Sequence, residues 1–414
     1  MSDLRQYILS RPLFDTHEHQ EGFSAIEGKK GALGYRALCG FLPDDLRTAG
    51  LENPDKASEE EFWDAWRFVR TTGYGRAAEL ACKSLLGMDY TRENAGAITA
   101  GLRALTAART GREIYENVFS KAGIQWAICD EWWTSPTDLK FFTGEEHPDF
   151  FAHALRYDAV MAMTHRDTII ELERTLNVSI QRLGDLDRVL DEHAQKARAS
   201  GRLAAMKSAL AYRCPLRFVD SSVADAEGVF GEIMRDRPVD ALPLTSYLFH
   251  RFVQRAQDFD LPVQVHVGTL SHNRLDPLNG DPAGMIPVFQ RYPRVKFDLF
   301  HSGWPFCDLM AAIGKSFPNV YLDMCWGWAV DPVGMERVLD EWLSAVPNNK
   351  IFGFGGDTGT PYAVIGYAAQ ARNGIANALE RKMARGEYDL ETAKQVADRI
   401  LYENARELYR IGEP

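Results

Sequence analysis

Short runs of β-branched, aromatic and other apolar residues recur between stretches of helical periodicity from about residue 120 to residue 360. A parallel strand buried on both faces reads as a near-continuous apolar run, whereas a helix packed against it places apolar residues at a period near 3.6. Including an opening run, eight strands are expected: Leu13 to His19, Gln125 to Glu131, Phe151 to Tyr157, Leu203 to Ala209, Val263 to Val267, Val295 to His301, Val320 to Met324 and Ile351 to Asp357. This βα alternation predicts an α/β fold, a parallel sheet closed into a (β/α)8 TIM barrel, with function gathered at the C-terminal strand ends.

The segment from Glu21 to Ala122 interrupts that rhythm. Helical periodicity in Glu60 to Thr71, Arg76 to Leu86 and Glu93 to Ala108 marks it as a helical insertion over about residues 21–122. Because it leaves from the end of strand one, it is expected over the barrel mouth, where it can act as a lid. Its aromatic residues Phe62, Trp63, Trp66 and Phe68 are read as packing in preference to substrate contact. A second insertion-like helix is expected from Leu183 to Ser200, and closing helices from Tyr362 to Ala384 and Glu391 to Tyr409. No repeats or Pro/Gly linkers divide the chain, so residues 1–414 are expected to form one domain.

Composition narrows the partners. With 414 residues, 45% hydrophobic and 25% charged, core size is not limiting, and a net charge of -11 argues against nucleic acid, which calls for a basic face. No uncharged apolar run is long enough to cross a bilayer, and the first residues lack the succession of a secretory signal. A cytoplasmic protein acting on a small molecule is expected, with monomer and homo-oligomer both open. The six cysteines show no Cys-x-x-Cys spacing and are expected reduced.

Candidate chemistry lies at the strand ends. His17 and His19 are two apart in a strand, so both imidazoles project from the same face and supply half a metal site. His266 ends strand five and His301 ends strand six, each at the position where a barrel ligand belongs. Asp357 closes strand eight after Gly355 and Gly356, and its carboxylate can bind metal or act as a base. The joint position of these residues predicts a divalent metal, zinc first.

The ordered set His17-x-His19, His266, His301 and Asp357 resembles the amidohydrolase superfamily of metal-dependent barrel enzymes across nearly the whole chain. The resemblance implies that these residues surround one or two metals, that water is activated there, and that Asp357 shuttles its proton. Lys207 falls on strand four, where binuclear members carry a carbamylated lysine bridging the metals. Two other readings of Lys207 are a pairing with a substrate carboxylate and a salt bridge inside the mouth. With a single metal, His301 is instead available as an acid or base.

Within the superfamily, Gln264 to Asn273, Trp326 to Glu336 and the long insertion resemble uronate isomerases. Yet Gly355-Gly-Asp-Thr-Gly-Thr360 stands where those enzymes carry an Asp-Ser-Arg motif, and Lys207 and His301 suit a binuclear hydrolase. The expectation is a metal-dependent hydrolase that cleaves an amide, ester or lactone bond of a small carboxylated compound. The alternatives are a uronate-isomerase-like enzyme and a zinc-dependent nonoxidative decarboxylase. Arg156, Arg213, His272 and Arg274 are candidate carboxylate contacts. Trp304 and Trp326, with Trp132, Trp133 and Trp328, are candidate walls of the substrate site.

Overall fold

The computed structural model describes residues 1–130 and 145–412, so the expected strand end Glu131 and the tryptophans Trp132 and Trp133 lie outside the described residues. Eight parallel strands follow one another in sheet order: β1 Leu13–Glu18, β2 Ile124–Asp130, β3 Phe151–Arg156, β4 Leu203–Ser208, β5 Val263–Val265, β6 Phe297–Leu299, β7 Val320–Asp323 and β8 Ile351–Phe352. Beyond β8 the chain returns to β1. The Thr16 N–H donates to the Phe354 carbonyl at 3.2 Å, the Asp357 N–H to the His17 carbonyl at 2.8 Å, and the His19 N–H to the Thr358 carbonyl at 3.2 Å. The protein is therefore a (β/α)8 barrel.

All eight strands lie where the apolar runs place them, but β5, β6 and β8 stop before the expected residues His266, His301 and Asp357. For β6 and β8 the physical reason is backbone shape. His301 and Asp357 have φ of 64° and 50°, a left-handed conformation that takes the chain out of the sheet ladder. The residues with chemistry thus begin where regular pairing ends.

Helices fill the segment between β1 and β2, among them Phe23–Lys29, Leu42–Thr48, Glu59–Val69, Gly73–Leu86, Ala95–Ala107 and Gly111–Ala122. Local sequence explains several of their ends. Ser58 and Glu61 form a reciprocal capping box, as do Thr110 and Glu113, satisfying first-turn N–H groups. Gly87 and Gly123 close their helices in the left-handed conformation. Phe62, Trp63 and Trp66 are buried with Tyr35 and Tyr90, as expected of packing residues. Phe68 differs, being 59% exposed with the Arg67 guanidinium over its ring.

These helices reach the mouth loops. Asp44 accepts from the His272 N–H at 2.9 Å, and the Phe41 ring lies 5.2 Å from that of Trp326. The helix Leu183–Ala199, read from sequence as insertion-like, leads directly into β4 and is the crossover between β3 and β4. The closing helix Pro361–Ala384 packs against Gly73–Leu86, and the last expected helix is interrupted by a π-helical turn at Arg399–Glu403. No described helix is long and apolar enough to cross a membrane.

At Gly366 the closing helix comes close to the inserted one: a Cβ there would sit 2.1 Å from the Ala77 carbonyl oxygen. Gly366→Ala is expected to force the two helices apart and lower the unfolding free energy by about 1–3 kcal/mol, measured by urea denaturation.

Candidate metal centre

The ends of β1, β4, β5, β6 and β8 bring His17, His19, Lys207, His266, His301 and Asp357 together, all buried. Asp357 lies at the centre. Its Oδ1 is 3.1 Å from His19 Nε2 and 3.5 Å from His17 Nε2, and its Oδ2 is 3.7 Å from His301 Nε2. Lys207 Nζ lies 3.1 Å from His17 Nε2 and 3.9 Å from the centroid of the Phe300 ring.

The outer nitrogens of three of the four imidazoles are held from behind. His19 Nδ1 contacts the Asp130 carboxylate, His301 Nδ1 faces the Cys325 carbonyl at 3.2 Å, and His266 Nε2 faces the Thr269 carbonyl at 2.8 Å. A carbonyl accepts only from N–H, so these contacts assign the tautomers of His266 and His301. Their other nitrogens, His266 Nδ1 and His301 Nε2, then point lone pairs at each other across 2.8 Å. A cation shared between them turns that repulsion into ligation. The ligand atoms of His17, His19 and Asp130 lie within 4.8 Å of one another, as do those of His301, Cys325 and Asp357, so the donor set suits a divalent metal.

Burial sets the charges. It pulls His17 and His266 well below the ordinary imidazole range and His301 down to about 3. Burial acts on His19 in the same sense, but the carboxylates of Asp130 and Asp357 outweigh it and push the ring up to about 9. Burial raises Asp357, yet the hydrogen bond from His19 and the neighbouring imidazoles hold it well below the usual carboxylate range. Lys207 is lowered by burial, with Asp130 and Asp357 opposing.

Beneath the site, β1 ties down the segment after β8. Asp15 accepts from the Gly356 N–H at 2.9 Å, and Glu18 accepts from the Thr358 N–H at 3.2 Å. Gly356 is required there, because a Cβ would fall 1.9 Å from a Glu18 carboxylate oxygen. Burial raises both acids, Asp15 to about 7, so this pair holds a proton near neutrality.

The expected substrate contacts are arranged differently. Arg156 is buried at the end of β3, with Nη1 3.2 Å from Asp130 and Nε 2.5 Å from Asp158, so its fork is engaged by protein carboxylates. His272 and Arg274 are exposed and line an outer cleft with Arg47, Thr48, Glu52 and Asn273, away from the ligand cluster. Trp326 is buried against His301, Phe41 and Tyr74 and serves as packing beside the ligands. Trp328 is also buried, its indole N–H donating to the Gly353 carbonyl at 2.9 Å. Trp304 is half-buried after β6, and Arg213 is exposed after β4, next to Tyr212, whose ring lies 4.7 Å from that of His266. Of the histidines read as structural, His147 stacks on His153, His193 pairs with the Tyr157 hydroxyl, His250 with the Tyr292 hydroxyl, and His165 is exposed.

Two candidate ligands were not read from the sequence. Asp130 and Cys325 each follow an apolar run, at a strand end, which is the signal that picked out the histidines. Neither belongs to a motif, and only the folded barrel sets Asp130 beside His19 and Cys325 beside His301.

Residues 187–411, more than half of the chain, match the family model described as Amidohydrolase. Protein fluG of Emericella nidulans is 29% identical over 153 residues, which cover 37% of this chain and 18% of that protein. A uronate isomerase of Phenylobacterium zucineum is 22% identical over 283 residues, 63% of this chain and 58% of that one. The chain thus matches less than two thirds of the length of either curated relative. The crystal structure of a uronate isomerase from Thermotoga maritima superposes with a TM-score of 0.80 at 14% identity, covering 98% of this chain and 96% of that one. At that identity the likeness is one of fold.

Asp158 accepts from the Ala209 N–H at 2.8 Å and the Ser208 hydroxyl at 3.1 Å while pairing with Arg156. Asp158→Ala is expected to remove one of the carboxylates that neutralise the Arg156 guanidinium and to cost about 3–5 kcal/mol of stability, read from urea unfolding of the two proteins.

Proposed function

The chain belongs to the amidohydrolase family, and on that footing we propose that it is a metal-dependent hydrolase cleaving an amide, ester or lactone bond of a small carboxylated molecule. The observation that supports this most is the facing pair His266 Nδ1 and His301 Nε2 at 2.8 Å, beside an Asp357 carboxylate shared by three imidazoles. His17, His19, His266, His301 and Asp357 would hold the metal, with Cys325 as an adjoining donor and Asp130 behind His19. The nitrogen-rich set favours zinc. When bound, the ion supplies Lewis acidity, which eases the ionisation of water and polarises a carbonyl.

The protein groups have distinct parts. Asp357, ionised at neutral pH, takes the proton from the attacking water and delivers it to the departing nitrogen or oxygen. His19 contacts one of its oxygens and His301 the other, which keeps the carboxylate in place. Trp326 and Phe300 limit water around the reacting atoms. Lys207 is buried with Nζ 3.1 Å from His17 Nε2, and carbamylation there would replace an ammonium that cannot ligate with an anionic oxygen donor. Arg213, exposed beyond β4, is the candidate contact for a substrate carboxylate. Cysteines in the thiol form fit a reducing, cytoplasmic setting, and the barrel with its insertion is read as one domain.

Divalent metal is expected to copurify with the protein, chelation is expected to abolish hydrolysis, and zinc or manganese to restore it. Metal at background level with no activation on addition overturns the proposal. In a metal-loaded protein, Asp357→Asn is expected to reduce kcat by about 10²–10⁴-fold against an amide and lactone panel.

A second reading, isomerisation of a sugar acid, is supported by the 22% identity with the Phenylobacterium zucineum uronate isomerase. Incubation with a panel of uronates separates the two: formation of a ketose favours isomerisation, and its absence beside amide or lactone turnover favours hydrolysis.

A further inference from the structure

We propose that Arg156 is a positioning residue that sets the metal affinity of the site by acting through Asp130 on His19; this rests on the metal-dependent reading above. The side chains concerned form an unbroken line of contacts across four neighbouring strand ends. His19, after β1, meets the Asp130 carboxylate at the end of β2. Asp130 Oδ2 meets Arg156 Nη1, at the end of β3, at 3.2 Å. Arg156 Nε meets Asp158 at 2.5 Å, and Asp158 is anchored by the Ala209 N–H and the Ser208 hydroxyl where β4 ends. The line therefore starts at a metal-facing imidazole and ends on backbone.

Geometry gives each member one task. His19 can turn Nε2 towards Asp357 only while Nδ1 is engaged on the other side, and Asp130 occupies that side. A carboxylate partner behind a ligating histidine fixes the ring and raises its basicity. Asp130 has a competing neighbour, because the oxygen that contacts Arg156 is also 3.9 Å from His17 Nε2. The Arg156 fork holds that oxygen back from the metal face, leaving His17 for the ion. A guanidinium is suited to this because its planar donors reach two carboxylates at once, whereas a lysine ammonium is a point charge without that fork. The side chain of Arg156 is 8% exposed and those of Asp130 and Asp158 are 0% and 4%, so these contacts are made away from bulk water.

Zinc affinity of the full-length protein decides the matter, measured by competition with a chromophoric chelator after metal removal. Wild type, Arg156→Lys, Arg156→Ala, Asp130→Asn and the Asp130→Asn/Arg156→Ala double variant are compared, each with its circular dichroism spectrum. Arg156→Lys and Asp130→Asn are expected to bind zinc about 10–100-fold more weakly. The double variant is expected to bind no more weakly than Asp130→Asn alone, since both changes act through one path. If Arg156→Ala does not fold, Arg156→Lys carries the comparison. Wild-type affinity in Arg156→Lys, with only KM for substrate raised, would make Arg156 a substrate contact and overturn the inference. Independent, multiplying losses in the double variant would overturn it also. A wild-type protein that takes up no zinc fails the metal reading itself, and this inference with it.

Discussion

A carboxylate that is 5% exposed inside a closed barrel must be matched by positive charge or hydrogen-bond donors, and Asp357 imposes that demand on everything around it. Three imidazole nitrogens approach its two oxygens from β1 and β6. Those approaches require β8 to meet β1, which the contacts from Asp357 to His17 and from Thr358 to Glu18 secure. The left-handed backbone at His301 and Asp357 belongs to the same requirement. Strain of this sort costs of order 1–3 kcal/mol per residue and persists where surrounding structure overdetermines it. Here it turns side chains inward that a regular strand would send elsewhere.

Around that centre, a second layer gives the imidazoles their direction. Two backbone carbonyls and one carboxylate hold the outer nitrogens, so the inner ones converge without freedom to rotate away. The carboxylate needs its own support because it is buried, and Arg156 with Asp158 supplies it. Charge alternates along this line from imidazole to carboxylate to guanidinium to carboxylate, ending at a backbone N–H. Each buried charge is thus neutralised by the next.

The helices between β1 and β2 complete the surroundings. Their own aromatic cluster gives them a core, while Phe41 and Tyr74 press on Trp326, which in turn backs His301. The insertion therefore reaches the ligands through packing. Its polar contacts, such as Asp44 to the His272 N–H, fix the loop after β5.

The apolar runs by themselves determined the eight strands, their order, and the placement of His17, His19, His266, His301 and Asp357 at their ends. That information is local: a strand buried on both faces must be apolar along its length, and the polar residue that ends it stands out. The same locality sets the limit of the reading. An arginine at a barrel rim such as Arg156 carries no mark of its partner carboxylates, and the burial of Trp326 is not written in its residue type. Tertiary structure alone decided that Asp130 and Asp158 embrace Arg156, that Cys325 comes beside His301 and Asp357, and that the histidines turn particular nitrogens inward. These choices depend on which strand ends become neighbours when the sheet closes, and on burial, which makes every unpaired charge too costly to leave alone.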